Sequence, residues 1–182
     1  MKRLITALGV SAALAFVVPA AFAPAAFASD AATPQEIIAK VKEAAAYLAS
    51  EGEAGLALFD AADTRFVWKD TYVFVWDCAA DVVVAHPVPA VRGVTISTVT
   101  DVAGKTFGPA LCEASTRPDG GWAEYMWQKP VKQDGADHLA YEGDAARKVS
   151  YMISVAGRPY QVGAGEYNDT ATVEELDALL MK

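Results

Sequence analysis

The sequence has few of the residues that carry most catalytic and nucleic-acid chemistry. It contains 2 histidines and 2 cysteines in 182 residues, and its 15 Lys and Arg residues are outnumbered by 23 Asp and Glu residues. No nucleophile elbow, HExxH helix, P-loop or complete dinucleotide fingerprint is present. Binding to nucleic acid is disfavoured, because it needs clustered basic residues that replace phosphate counterions. These absences predict a chain that is not an enzyme and needs no cofactor or metal.

Long apolar runs are confined to the N-terminus. Two basic residues precede an apolar run over residues 4–23, and Ala26–Ala28 is a small-x-small cleavage site. Residues 1–28 are therefore predicted to be a secretory signal peptide. The alternative is an uncleaved anchor, because the run is nearly long enough to span a bilayer. Prolines in and after the run favour cleavage.

Cleavage would leave residues 29–182, which suit one domain with a single core. These 154 residues keep 13 basic and 23 acidic side chains, a net charge of −10. This acidity serves solubility, and it gives little attraction to nucleic acid or anionic membranes. We expect a soluble protein of the periplasm or the extracellular space.

Two cysteines, Cys78 and Cys112, belong to the mature chain. An isolated pair in an exported protein is usually a disulfide, because the compartment is oxidising. Two free buried thiols are the alternative. A metal or redox site is disfavoured, because neither cysteine belongs to a CxxC motif.

The order of predicted elements is typical of an α+β fold rather than of a βαβ repeat. A capping box formed by Thr33 and Glu36 starts a long amphipathic helix that reaches about Ser50. The C-terminal third carries three strands, whereas the polar segment Val131–Asp144 is interpreted as a mobile connection. The predicted strands are Thr71–Asp77, Val82–His86, Gly121–Lys129, Arg147–Val155 and Tyr160–Tyr167, and shorter helices are expected within 51–63, near Thr106–Ala114 and after Thr170.

The last three predicted strands carry an ordered set of motifs. An aromatic strand over 121–130 ends in Trp-x-Lys-Pro, Lys148–Tyr151 reads Lys-x-Ser-Tyr, and Gly163–Tyr167 closes as Gly-x-Gly-x-Tyr. This set resembles the single Cache family (sCache type 2), which comprises extracytoplasmic, PAS-like ligand-binding domains. The resemblance extends from Pro34 to Tyr167. It implies an antiparallel sheet of five to six strands with the long N-terminal helix across one face, and a small-molecule site outside the cytoplasm.

The family's receptors continue through a transmembrane helix into signalling modules, whereas this sequence ends at Lys182 after one short helix. We therefore expect a free-standing sensor or scavenging domain that presents its ligand to a membrane receptor or kinase. Because family members often pair through the N-terminal helix, the resemblance also makes a homodimer an expectation.

Strand alternation predicts the candidate site. Tyr125, Trp127 and Lys129 share one face of their strand, and together they offer a phenol, an indole and a cation. This row suits a small carboxylate or another polar metabolite, and the resemblance implies a pocket lined from these strands. The alternative is that the two aromatic side chains only pack in the core.

Three further residues complete the predicted site. On the next strand Tyr151 is favoured as a pocket residue, and Lys148, on the opposite face, is expected at the rim or in solvent. Arg92 could bind a carboxylate with its planar guanidinium group, or be an ordinary surface arginine. His86 precedes a proline at a strand end, where it would lie at the pocket mouth or serve a structural hydrogen bond.

The sequence thus favours an exported domain that binds a small organic acid or a similar metabolite. Two other classes stay open. One is a non-catalytic docking or assembly factor of the periplasm, whose sheet would bind a protein. The other is an exported enzyme on a PAS-like scaffold, which the scarcity of paired nucleophiles and bases disfavours.

Overall fold

The computed structural model describes residues 31–132 and 134–181. The predicted signal peptide and its cleavage site lie outside these residues. The helices are α1 (Pro34–Glu51), α2 (Gly108–Ser115) and α3 (Val173–Asp177), and 3-10 turns lie at Gly52–Phe59, Pro89–Val91 and Ile96–Thr98. The strands are β1 (Val67–Trp68), β2 (Thr71–Asp77), β3 (Val82–Ala85), β4 (Gly121–Lys132), β5 (Leu139–Ser154) and β6 (Gln161–Tyr167).

Helix α1 begins where the capping motif predicted. The hydroxyl of Thr33 accepts a hydrogen bond from the backbone of Glu36, whose carboxylate accepts one from the backbone of Thr33. Pro34 occupies the first helical position, where its missing N–H costs nothing. The helix ends at Glu51 and is capped by Gly52, which has a φ of +63°. Its buried stripe consists of Ile37, Val41, Ala44, Ala45 and Leu48.

The six strands form one antiparallel sheet in the order β1-β2-β6-β5-β4, and β3 pairs with the part of β2 that lies beyond β1. The long helix α1 packs across one face against Val73, Val149 and Ala164. The predicted α+β architecture, an antiparallel sheet with a long N-terminal helix, is confirmed. Within the part of the chain that the structure describes, no helix is both long and apolar enough to cross a membrane.

The segment 131–144 is predicted to be a connection, and at both of its ends that prediction is wrong. Strand β4 continues to Lys132 and β5 begins at Leu139, so Pro130 pairs with Tyr141 and Lys132 with Leu139 in a long hairpin. A bulge between Gln128 and Pro130 accommodates the proline. The hairpin is exposed over much of its surface, so it lacks the apolar alternation by which strands are recognised.

The second face of the sheet carries a separate core, covered by the segment 86–107 and by α2. Cys78, which follows β2, forms a disulfide with Cys112 of α2, with an S–S distance of 2.03 Å. The predicted bridge is therefore present, and it ties α2 to the end of β2. Helix α1 and this covering layer thus enclose the sheet from opposite sides.

Candidate ligand-binding site

A small cavity lies between the sheet and the segment 86–107. Its free volume is about 20 Å³, close to the space that a single water molecule needs. A larger ligand therefore requires side chains to move apart. The wall is mainly aromatic, and its residues are Tyr72, Phe74, Trp76, Val83, His86, Val91, Val99, Phe107, Tyr125, Trp127 and Tyr141.

Strand alternation builds the floor of the cavity. On β2, the residues Tyr72, Phe74 and Trp76 point to this face, while the valines between them face α1. Strand β4 adds Tyr125 and Trp127 with the same spacing. Large β-favouring aromatics therefore serve both as strand formers and as the apolar lining of the cavity.

Phe107, immediately before α2, closes one side. Its ring stacks on Tyr125 with centroids 4.1 Å apart and contacts Trp127 edge to face at 5.2 Å. Trp127 also meets Tyr141 edge to face, with centroids 5.4 Å apart at 88°. The contacts with Phe107 and Tyr141 hold the Trp127 ring in the wall.

A chain of polar groups crosses the aromatic floor. Lys148 Nζ donates a hydrogen bond to the Tyr72 hydroxyl at 3.1 Å, and that hydroxyl is hydrogen-bonded to Tyr141. The Tyr141 hydroxyl lies 3.2 Å from His86 Nε2. Four functional groups from β2, β5 and the end of β3 thereby converge on one side of the cavity.

His86 is neutral in this arrangement. Its Nδ1 accepts a hydrogen bond from the backbone N–H of Val88 at 2.9 Å, so the ring proton lies on Nε2, towards Tyr141. Burial, and then the nearby charge of Lys148, hold the pKa of His86 well below its usual range. His86 therefore donates to Tyr141 without carrying a charge.

The tyrosine hydroxyls keep their protons. Burial raises the pKa of Tyr72 well above its usual value and that of Tyr141 to about 12. Burial also raises the pKa of Tyr125, whose hydroxyl is hydrogen-bonded to Ser150 at 2.9 Å. At neutral pH the cavity thus offers protonated phenols, which can donate hydrogen bonds to an anion.

Lys148 is fully buried, so its predicted place at the rim or in solvent is wrong. It lies behind the ring of Tyr72, with Nζ 4.1 Å from the ring centroid. Among the described residues it forms no salt bridge, and Asp70 is the acid whose charge acts on it from a distance. Burial lowers the pKa of the Lys148 ammonium to about 7.

The Gly-x-Gly pair of β6 makes room for these groups. A Cβ on Gly165 would lie 2.2 Å from Ser150 Oγ and 2.9 Å from Lys148 Cε, and one on Gly163 would lie 2.8 Å from the ring of Phe74. Both glycines face the cavity side of the sheet, as their pairing with Ser150 and Met152 shows. The motif thus provides space for a buried lysine and an aromatic ring.

The structure brings three of the six residues selected from the sequence to the cavity. His86, Tyr125 and Trp127 line it directly. Lys129 is exposed on the same side of the sheet, with Nζ 5.4 Å from the ring centroid of Tyr167.

Arg92 and Tyr151 lie elsewhere. The guanidinium of Arg92 is held by Asp60, with Nε–Oδ1 at 3.0 Å, and donates to the backbone carbonyls of His86 and Asp60. Tyr151 belongs to the face that packs against α1, and its hydroxyl donates to the Asp119 carbonyl at 2.6 Å.

Three groups of the polar chain were not selected from the sequence: Tyr72, Tyr141 and Lys148. Tyr72 belongs to a strand that was predicted correctly, so the aromatic alternation of β2 could have pointed to it. Tyr141 lies in the segment interpreted as a loop. The described residues contain no group of three or more His, Cys, Asp or Glu side chains that could hold a metal ion.

The fold is similar to that of several solved structures. Each of three solved structures aligns with 72% of this chain. The first is a methyl-accepting chemotaxis protein from Vibrio parahaemolyticus, with 21% identity, 81% of its chain covered and a TM-score of 0.52. The second is a periplasmic sensor domain of a chemotaxis protein, with 21% identity, 88% of its chain covered and a TM-score of 0.46. The third is a Cache chemosensory domain described for its carboxylic acid recognition, with 22% identity, 86% of its chain covered and a TM-score of 0.48.

The sequence comparisons add the family. No match was found among curated proteins. The family model described as Single Cache domain 2 matches residues 23–151, well over half of the sequence. The observed sheet, long N-terminal helix and cavity agree with the resemblance that the strand motifs indicated. The chain therefore belongs to the single Cache domain 2 family.

Proposed function

We propose that this chain is a non-catalytic, extracytoplasmic module that binds a small carboxylate in the aromatic cavity. The observation that carries the proposal is Lys148, a fully buried amine without a salt-bridge partner among the described residues. A buried charge normally has a partner, because leaving water is costly. A ligand anion at the Tyr72 hydroxyl would supply that partner.

The remaining groups fit the same chemistry. Tyr72 and Tyr141 are both protonated, and because only one of them donates in the hydrogen bond between them, the other hydroxyl proton is free for a ligand, while His86 donates to Tyr141. Hydrogen bonds to a charged acceptor are about twice as strong as those between neutral groups. The rings of Phe74, Phe107 and Trp127 would contact the carbon skeleton of the ligand.

The proposed role is sensing or scavenging in the periplasm or the extracellular space. Because the free volume is small, ligand entry would shift the population towards a state in which the segment 86–107 lies farther from the sheet. That segment would then present an altered surface to a membrane receptor or kinase. A homodimer paired through α1 is part of the same proposal.

A thermal-shift screen of the purified protein against organic acids, amino acids, amines and purines tests the function. A ligand at a hundred times its Kd adds about 2.7 kcal/mol to the free energy of unfolding. We expect monocarboxylates to raise the Tm. NMR of the ligand after incubation should show it unchanged, which distinguishes binding from turnover.

Matched variants test the location. Tyr72→Phe and Trp127→Ala should each weaken carboxylate binding at least fivefold by calorimetry. Tyr151→Phe removes a hydroxyl on the opposite face of the sheet and should leave the affinity unchanged. If Tyr72→Phe and Trp127→Ala bound the carboxylate as tightly as Tyr151→Phe, the ligand would lie elsewhere. A silent screen with a folded protein would favour the protein-docking alternative.

A further inference from the structure

A second concavity lies directly outside the aromatic cavity. This outer groove has a volume of about 290 Å³ and is walled mainly by apolar side chains of the segment 90–102. It shares Val91, Val99, Trp127 and Tyr141 with the inner cavity. The two spaces therefore adjoin at these four residues, among them the edge-to-face pair of Trp127 and Tyr141.

The volumes of the two spaces decide which of them a ligand must use. The inner cavity, at about 20 Å³, has too little room for a carboxylate that carries several carbon atoms. The outer groove has more than ten times that volume. Rotation of the Trp127 side chain would join them, and the room gained would lie in the groove.

Charge fixes the direction in which a ligand would lie. Asp101 is in the groove wall, and backbone hydrogen bonds, above all from the N–H of Met126, hold the pKa of its carboxyl below the usual range. Lys105, the nearby base, is outside that wall. The cation of Lys148 is instead behind the inner cavity. An anionic head is thus favoured inside, and an uncharged tail in the groove.

We infer that the outer groove is a subsite for the apolar tail of a monocarboxylate whose carboxylate lies in the inner cavity. This inference rests on the proposed function. It assigns Val94, Val99 and Val102 to contact with the tail, and it makes Trp127 the residue that sets the permitted chain length. Val102 is 59% exposed at the mouth of the groove, where an apolar tail would cover it.

Calorimetric titration with acetate, butyrate and hexanoate measures the tail contribution. Each buried methylene should raise the affinity about threefold to fourfold. Adipate has the carbon count of hexanoate but a second carboxylate, which would lie near Asp101, and it should bind at least tenfold more weakly. Acetate binding as tightly as hexanoate would overturn the tail subsite and leave the proposed function standing. Absence of binding by all four acids would overturn both.

Two charge-matched variants locate the tail. Val102→Asp adds a carboxylate at the mouth of the groove and should weaken hexanoate at least fivefold more than acetate. Val131→Asp adds the same charge at an exposed position of β4 that is outside the groove wall, and it should weaken neither. Equal losses of hexanoate affinity in the two variants, or none in Val102→Asp, would overturn the inference.

Discussion

The ammonium of Lys148 donates a hydrogen bond to the hydroxyl of Tyr72 at 3.1 Å and also lies 4.1 Å from the centroid of the same ring. Both contacts favour the charged form of the amine. Burial nevertheless outweighs them and lowers the pKa of Lys148 to about 7. The unliganded protein therefore contains an amine that gains or loses its charge near neutral pH, directly behind the proposed carboxylate site.

Lys148→Met should separate stability from binding. Methionine fills a similar volume and removes the cost of burying an amine, so we expect the free energy of unfolding at pH 7 to rise by about 1 kcal/mol or more. Acetate affinity should fall at least tenfold, because the ligand loses its counter-charge. Urea denaturation and calorimetry measure the two quantities.

Lys129→Met is the matched comparison, because Lys129 is exposed on the same side of the sheet. Its effect on stability should stay within about 0.5 kcal/mol. If acetate binding were lost in Lys129→Met and kept in Lys148→Met, the exposed lysine would be the carboxylate partner instead.

Carboxylate binding should depend on pH through Lys148. Binding of an anion raises the pKa of the amine above its unliganded value of about 7. Acetate affinity is then highest below pH 7 and falls up to tenfold per pH unit above it, until the pKa of the complex is reached. Titrations in phosphate and Tris, which differ in ionisation enthalpy, should reveal the uptake of up to one proton.

Other groups near Lys148 do not account for this proton uptake. His86 stays neutral because its pKa is well below the usual value, and Tyr72 and Tyr167 stay protonated because burial raises theirs. Asp70 remains as a distant acid that favours the charged amine. Proton uptake that persisted in Lys148→Met would assign the titration to another group.

Stability should show the opposite trend. An unfolded lysine binds its proton up to about pH 10.4, whereas folded Lys148 releases it above about pH 7. Because the unfolded state binds more protons between these values, the free energy of unfolding rises with pH by up to about 1.4 kcal/mol per unit. The difference between wild type and Lys148→Met isolates this effect, and it should shrink between pH 7 and pH 9 in urea titrations.

Gly165→Ala should disturb the site by displacing Lys148. Its Cβ would lie 2.7 Å from the Val149 carbonyl oxygen and closer still to Ser150 Oγ. Such overpacking costs about 1–3 kcal/mol, and displacement of Lys148 should lower acetate affinity. Ser150→Ala in the same chain removes the nearest atom and should restore part of the stability in urea denaturation. A wild-type affinity in Gly165→Ala would show that the stem of Lys148 has space to spare.

Local patterns could be predicted from the sequence because each depends on one element. The capping box of α1, the β2 strand and the shared face of Tyr125 and Trp127 required no knowledge of neighbouring strands. The position of Lys148 does require it. Alternation shows that Lys148 and Tyr151 face opposite sides, but only the register with β4 shows which side holds the cavity, and a shift of one residue would exchange them.

Long-range contacts explain the other differences. Tyr141 reaches the cavity because the exposed hairpin continues past the bulge, and no apolar alternation marks that continuation. Arg92 is held by Asp60, a partner 32 residues earlier in the chain, so its side chain is committed to a structural contact that spacing alone does not reveal.

Removal of the disulfide should weaken both stability and binding. The bridge between Cys78 and Cys112 closes a loop with a sequence separation of 34, for which chain entropy predicts about 3–4 kcal/mol of stabilisation. It also anchors α2, the helix that Phe107 precedes and whose Leu111 packs in the same core. The double variant Cys78→Ser/Cys112→Ser should therefore have a lower Tm and a faster release of acetate by stopped flow. A lower Tm with an unchanged release rate would show that Phe107 keeps its place without the bridge.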